Sequence, residues 1–266
     1  MRGETEQYCF DLVKQYLYKD VFFAMSIDDE EIIRDAFDKS APNSQLSEFP
    51  DFIFDKGFIE HFQVTSSFEN RKGSTMERER SGIERDYQRK EQEVLSNASD
   101  GQVEIHSIST DPYWHEPHSY EKFIKSFKSK FEKHLKSLDK YDGVKDYKIF
   151  MIEYSDSALR MSKKVPENLM LEVSYGDLLI RENPTYRLSR DSELLSYIYG
   201  MRNKIDYVIF VNDGILGDVF VDVINTKNVL EIIKLLYDGY EFHCAMTGSS
   251  KVGFAVSVPN IEGDND

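Results

Sequence analysis

Phe49-Pro50-Asp51-Phe52-Ile53-Phe54-Asp55-Lys56-Gly57-Phe58-Ile59-Glu60-His61-Phe62-Gln63-Val64-Thr65 is the stretch on which the fold turns. Two short runs rich in Phe, Ile and Val flank Asp55-Lys56-Gly57. A glycine there can take the left-handed conformation that closes a three-residue turn with a bulge. The stretch therefore reads as a tight β-hairpin that carries acidic and polar groups inside an otherwise apolar sheet. A three-residue loop sets Phe54 opposite Phe58, Ile53 opposite Ile59 and Asp51 opposite His61. Side chains alternate across a strand, so Asp51, His61, Gln63 and Thr65 then share one face with Ile53 and Ile59. A two-residue loop would instead pair Asp51 with Phe62 and put Glu60 on its face; the first register segregates polar from apolar positions better. In that register a carboxylate and an amide oxygen converge beside an imidazole, which suits a hard divalent cation such as magnesium. The plain structural reading is an edge strand with Glu60, His61 and Gln63 facing water and no function.

Pro50-Asp51, a turn, and a strand carrying an acid or amide before a polar group resemble the PD-(D/E)xK, or restriction-endonuclease-like, superfamily over about residues 45–75. In that family the aspartate and the second acid bind one or two magnesium ions, and a lysine two residues later orients or activates the attacking water. The resemblance implies an α/β fold with a mixed central sheet flanked by helices and a restriction-endonuclease-like core. It implies a DNA endonuclease dependent on Mg2+ or Mn2+, in the manner of a restriction or anti-phage defence nuclease. The pattern departs from the family in two places. Glu60-His61-Phe62 has no lysine at its third position, and Gln63-Val64-Thr65 has an amide for the acid and a threonine for the lysine. Lys72, in Ser66-Ser67-Phe68-Glu69-Asn70-Arg71-Lys72-Gly73-Ser74, is the nearest lysine that would return to the site. The expected constellation is thus Asp51, the Gln63 carbonyl and Glu60 as ion ligands, with Lys72 or His61 positioning the water. Without a lysine the same fold would be a non-catalytic, partner-binding subunit.

The chain has 266 residues and a formal charge of −15. It is long enough to bury a substantial core. So acidic a chain argues against a simple nucleic-acid binder, because phosphate binding needs a positive field at the contact. It leaves room for a local basic face. Cys9 and Cys244 are too isolated for a disulfide framework and read as small core residues in a reducing compartment. The polar N-terminus is no signal peptide and no run is long enough to span a bilayer, so a cytoplasmic protein without membrane contact is expected, with a protein partner or self-association left open.

Residues 1–260 read as a single α/β domain with a charged helical insertion at about 76–97 and an acidic tail at 261–266. Residues 4–18 repeat apolar positions at helical spacing, and Asp28 to Phe37 is a shorter helix with a capping aspartate. Tyr120 to Leu138 has one apolar stripe, in which His134 takes a place. Its other face carries Lys122, Lys125, Lys128, Lys130, Lys133 and Lys136, a basic patch in which Lys125, Lys128 and Lys136 are candidate phosphate contacts; the bland reading is a solvated face. Tyr147 to Ile152 and Asp206 to Val211 are apolar runs of the kind buried on both faces. Leu169 to Val173, Leu178 to Ile180 and Val219 to Ile224 read as further strands, and 192–202 and 229–237 as helices. His243 to Met246 and Val252 to Val258 read as a closing hairpin. Glu153 and Asp156, just past a strand, stand where α/β proteins often place site residues, and mark a third possibility in which Asp51 is dispensable. The loop from Asp111 to His118 gathers two histidines and two acids between prolines, either as metal ligands or as a rigid connector.

Overall fold

The computed structural model describes residues 4–44, 48–67, 75–96, 104–110, 113–114, 118–154, 156, 158–163, 185–213, 219–236, 239–244, 248–249 and 251–257. In chain order the elements are α1 (Glu4–Tyr16), β1 (Phe22–Phe23), α2 (Ile27–Lys39), β2 (Ala41–Pro42), β3 (Phe52–Phe54), β4 (Gly57–Val64) and α3 (Thr75–Ser96). There follow β5 (Glu104–Ser109), β6 (Tyr113–Trp114), α4 (Tyr120–Leu138), β7 (Tyr147–Tyr154), β8 (Leu159–Lys163) and α5 (Ser192–Gly200). The last are β9 (Tyr207–Asp213), β10 (Val219–Asn225), α6 (Val229–Leu235), β11 (Tyr240–Cys244), β12 (Gly248–Ser249) and β13 (Val252–Ser257). They form two compact units, Met1–Ser66 with His118–Ala245, and Ser67–Pro117 with Met246–Asp266.

The first unit is α/β. Its seven-stranded sheet runs β1-β10-β9-β7-β4-β3-β2. β4, β7 and β9 are parallel at the centre, while β3 and β10 pair antiparallel on either side. The continuous apolar runs of β7 and β9 explain their place, since a central parallel strand is covered on both faces. Alternation then sorts the side chains. Phe58, Phe62, Phe150, Ile152, Val208 and Phe210 meet the α4 stripe of Phe123, Phe127, Phe131, Leu135 and Leu138. Ile59, Ile149, Met151, Ile209 and Val211 meet Cys9, Phe10 and Val13 of α1 and Ile33, Ala36 and Phe37 of α2. Burying each large side chain of these two layers contributes about 1.5–3 kcal/mol.

Several expectations are corrected. The hairpin turn has two residues, Asp55 and Lys56, because Phe54 pairs with Gly57, Ile53 with Phe58 and Phe52 with Ile59. Continued one step, that register sets Asp51 opposite Glu60, neither His61 nor Phe62. Gly57 is the first strand residue and not a left-handed turn residue; among described glycines the positive φ belongs to Gly239. Glycine is required at 57 by close approach, since a Cβ there would sit 2.0 Å from the Tyr147 carbonyl oxygen. The α2 cap is Ser26, whose hydroxyl accepts from Asp29 N while Asp29 accepts from Ser26 N, a capping box. β11 pairs with β8 and β13 with β5, so no closing hairpin forms among the described residues. Leu169 to Val173, Leu178 to Ile180 and the tail at 261–266 lie outside the described residues.

In the second unit α3 is the polar helix expected at about 76–97. It packs Tyr87 against Ile108 of β5, which pairs antiparallel with β13. Lys251 bridges to Glu84 at 2.7 Å and lies over the Tyr87 ring.

Candidate functional site

Polar side chains gather at the carboxyl-terminal halves of β4 and β7, and parity along β4 divides them between the two faces. Glu60 is even and turns toward α4. Its Oε2 accepts from Asp51 N at 3.1 Å, and Oε1 is 2.6 Å from His134 Nδ1. Asp51 answers across the pair, with Oδ2 accepting from His61 N at 2.8 Å. Asp51 is therefore locked to β4 just before β3 begins, and the two acids are neighbours. His134 lies flat on Phe62, with ring centroids 4.5 Å apart and 14° between planes. Phe62 itself is wedged edge-on against Phe131 and Phe150.

Burial sets the protonation of this group. Glu60 is pushed up to about 9, first by desolvation and then by the Asp51 charge. Asp51 is raised as well, chiefly by burial. His134 is lowered to about 4, by burial first and then by Lys133 and Lys130. At neutral pH the 2.6 Å contact thus joins a carboxylic acid to a neutral imidazole.

The odd face carries different chemistry. His61 Nε2 is 2.9 Å from Glu153 Oε2, and Gln63 Nε2 donates to the same oxygen at 3.1 Å. Cys9, from α1, brings its sulfur to this group: ligand atoms of Cys9, His61 and Glu153 all lie within 4.8 Å of one another. All three are buried, whereas Gln63 is exposed. Beyond the strand ends Asp156 Oδ2 accepts from the Thr65 hydroxyl at 2.6 Å and from Ser66 N at 2.7 Å. The Ser66 hydroxyl lies 2.7 Å from His118 Nδ1 and 2.8 Å from the Tyr154 hydroxyl, which fixes the entry to α4.

Measured against expectation, Asp51 and Glu60 come together, but Asp51 and Gln63 do not form a shared ligand pair: the Gln63 amide is turned to Glu153. His61 presents its backbone to Asp51 and its imidazole to Glu153. Lys72 lies outside the described residues, as do Asp111, Glu116 and His115. Lys125 and Lys136 are exposed on α4, and so are Lys130 and Lys133, whereas Lys128 is engaged by Glu193 at 2.9 Å. His134 and Cys9 were hidden in the sequence because each occupies an apolar-stripe position; the signal for His134 is that it is the one imidazole in its stripe. No helix among the described residues is long and apolar enough to cross a membrane. Comparison with family models, curated proteins and solved structures found no match.

Proposed function

We propose that this chain is a metal-dependent DNA phosphodiesterase of the nuclease type, with its centre at Asp51 and Glu60 and its nucleic-acid surface along α4. The observation that carries the reading is the juxtaposition of these acids on adjacent strands, which makes Pro50-Asp51 with Glu60-His61-Phe62 the counterpart of the PD-(D/E)xK pattern. The donor set is two carboxyl groups with the His134 imidazole beside Glu60, and the carboxylate oxygens suit a hard cation. Asp51 and Glu60 would hold Mg2+ or Mn2+, which supplies neutralisation of charge at the phosphate.

Phe62 occupies the position of the family's lysine. The basic group that reaches Glu60 is instead His134, 2.6 Å away. Its imidazole is kept neutral by burial, and its Nδ1 is engaged by the Glu60 carboxyl. Lys130 and Lys133 flank His134 on the same helix, and with Lys125 and Lys136 they give α4 the positive edge that a phosphate backbone requires.

The test is cleavage of DNA with Mg2+ or Mn2+ and with chelator. Metal-dependent cutting that falls by about a hundredfold or more in Asp51→Asn is expected; undiminished cutting in that variant would remove the pair from the mechanism. A second reading is favoured by one observation, the burial of Phe62 where the lysine would stand. On that reading the chain is a non-catalytic, partner-binding subunit, and the wild-type protein cuts nothing while still binding DNA or a protein partner.

A further inference from the structure

We infer that Cys9, His61 and Glu153 form a binding site for a thiophilic divalent ion, zinc in the first instance, on the α1 face of the sheet. The inference is independent of the nuclease reading, because it uses the opposite face of β4 and a different donor set.

Three separate elements converge to make it. Cys9 comes from α1, His61 from β4 and Glu153 from β7, and their ligand atoms lie within 4.8 Å of one another. Tetrahedral zinc, with Zn–S of about 2.3 Å and Zn–N and Zn–O of about 2.0–2.2 Å, holds its ligand atoms roughly 3.3–3.6 Å apart. The His61–Glu153 distance of 2.9 Å therefore opens slightly on binding, and the sulfur, within 4.8 Å of the other two ligand atoms, moves in toward them.

Ligand identity selects the ion. A thiolate and an imidazole are poor partners for magnesium, whereas Cys, His and carboxylate together are ordinary zinc donors. Charge makes the same selection. One thiolate and one carboxylate neutralise a divalent ion, so the complex is formally neutral, as a site with all three ligands buried requires. Gln63 is the exposed residue over the group, and its amide already touches Glu153 Oε2 at 3.1 Å. It marks the way in, and either its carboxamide oxygen or a water completes the fourth position.

Cobalt(II) titration decides the matter, because a thiolate ligand produces an intense near-ultraviolet charge-transfer band that oxygen and nitrogen ligands do not. The chain has two cysteines, so Cys244→Ser leaves Cys9 as the single possible sulfur donor. The expected result is one equivalent of cobalt with the thiolate band in both wild type and Cys244→Ser, displaced by zinc, and retained in Asp51→Asn. Cys9→Ser should lose the band, and His61→Gln or Glu153→Gln should weaken cobalt binding at least tenfold. Absence of the band in folded Cys244→Ser overturns the inference whatever the fate of the other variants. So does a band that survives Asp51→Asn and Cys9→Ser alike. Failure of DNA cleavage leaves it untouched, since the spectrum reports on the ion alone.

Discussion

Replacing Glu60 by Gln should stabilise the protein at alkaline pH, although it removes a charge-bearing residue from the candidate centre. The carboxyl is folded away with its pKa at about 9, against an ordinary value of 4.5. A group whose folded pKa is raised contributes stability that is complete below its unfolded pKa and is lost as pH rises toward the folded value. Between those limits folding takes up one proton, and each pH unit removes about 1.4 kcal/mol. His134 works in the opposite sense. With its pKa lowered to about 4 from 6.5, its contribution is present above pH 6.5 and is lost on acidification. The window from pH 6.5 to 8.5 lies above the His134 titration, and Asp51, also raised by burial, is present in both proteins, so their difference reports Glu60. Gln keeps the shape, accepts from Asp51 N and donates to His134 Nδ1, but does not ionise. Urea unfolding in EDTA at pH 6.5, 7.5 and 8.5 should show the parent losing about 2–3 kcal/mol relative to Glu60→Gln across the window. Parallel pH profiles would refute the reasoning, because they would mean that Glu60 is already ionised in the native protein.

Three further outcomes follow from the same geometry. Gly57→Ala drives a Cβ to within 2.0 Å of the Tyr147 carbonyl oxygen in the β4–β7 ladder, and should lower unfolding free energy by about 3 kcal/mol in thermal or urea melts. Arg187→Met strands Asp222, whose oxygens accept from Arg187 Nε at 2.9 Å and from Ser189 N at 2.8 Å; a loss of about 3–5 kcal/mol is expected, largely recovered when Asp222→Leu is added. Changing Lys125, Lys133 and Lys136 to Gln should weaken DNA binding regardless of sequence and reduce the slope of log affinity against log salt by up to about 2.7, read by fluorescence anisotropy.

The α/β class was legible because its signals are periodic and long: the Phe ladder of α4 and the apolar runs of β7 and β9 admit one reading each. The hairpin was legible as a hairpin but not in register. Asp55-Lys56-Gly57 fits a two- or a three-residue turn on local grounds, and the choice is made by the parallel partner β7, whose carbonyl at Tyr147 crowds Gly57 and demands a residue without a side chain. That tertiary contact is invisible in a single sequence. The closing strands failed for a related reason. β11 and β13 are near in sequence, but β11 finds its partner in β8 and β13 finds its own in β5.

A one-residue change of register flips every side chain, which is why the turn carries the functional argument as well as the fold. With Asp51 opposite His61, acid, imidazole and amide would have shared a face and a single ion. With Asp51 opposite Glu60, the acids are drawn together by two backbone-to-carboxylate bonds, and His61 and Gln63 are left to the other side. There α1 supplies a thiol and β7 a carboxylate, and on the proposed reading the polar residues of one short strand would serve two chemistries of opposite hardness. The strand is thin enough that these are coupled: Asp51 holds the His61 backbone at 2.8 Å while the His61 imidazole holds Glu153 at 2.9 Å. An ion that pulled His61 toward Cys9 would act on Asp51 through that single peptide group, so occupancy on one face should be felt as a change in affinity on the other.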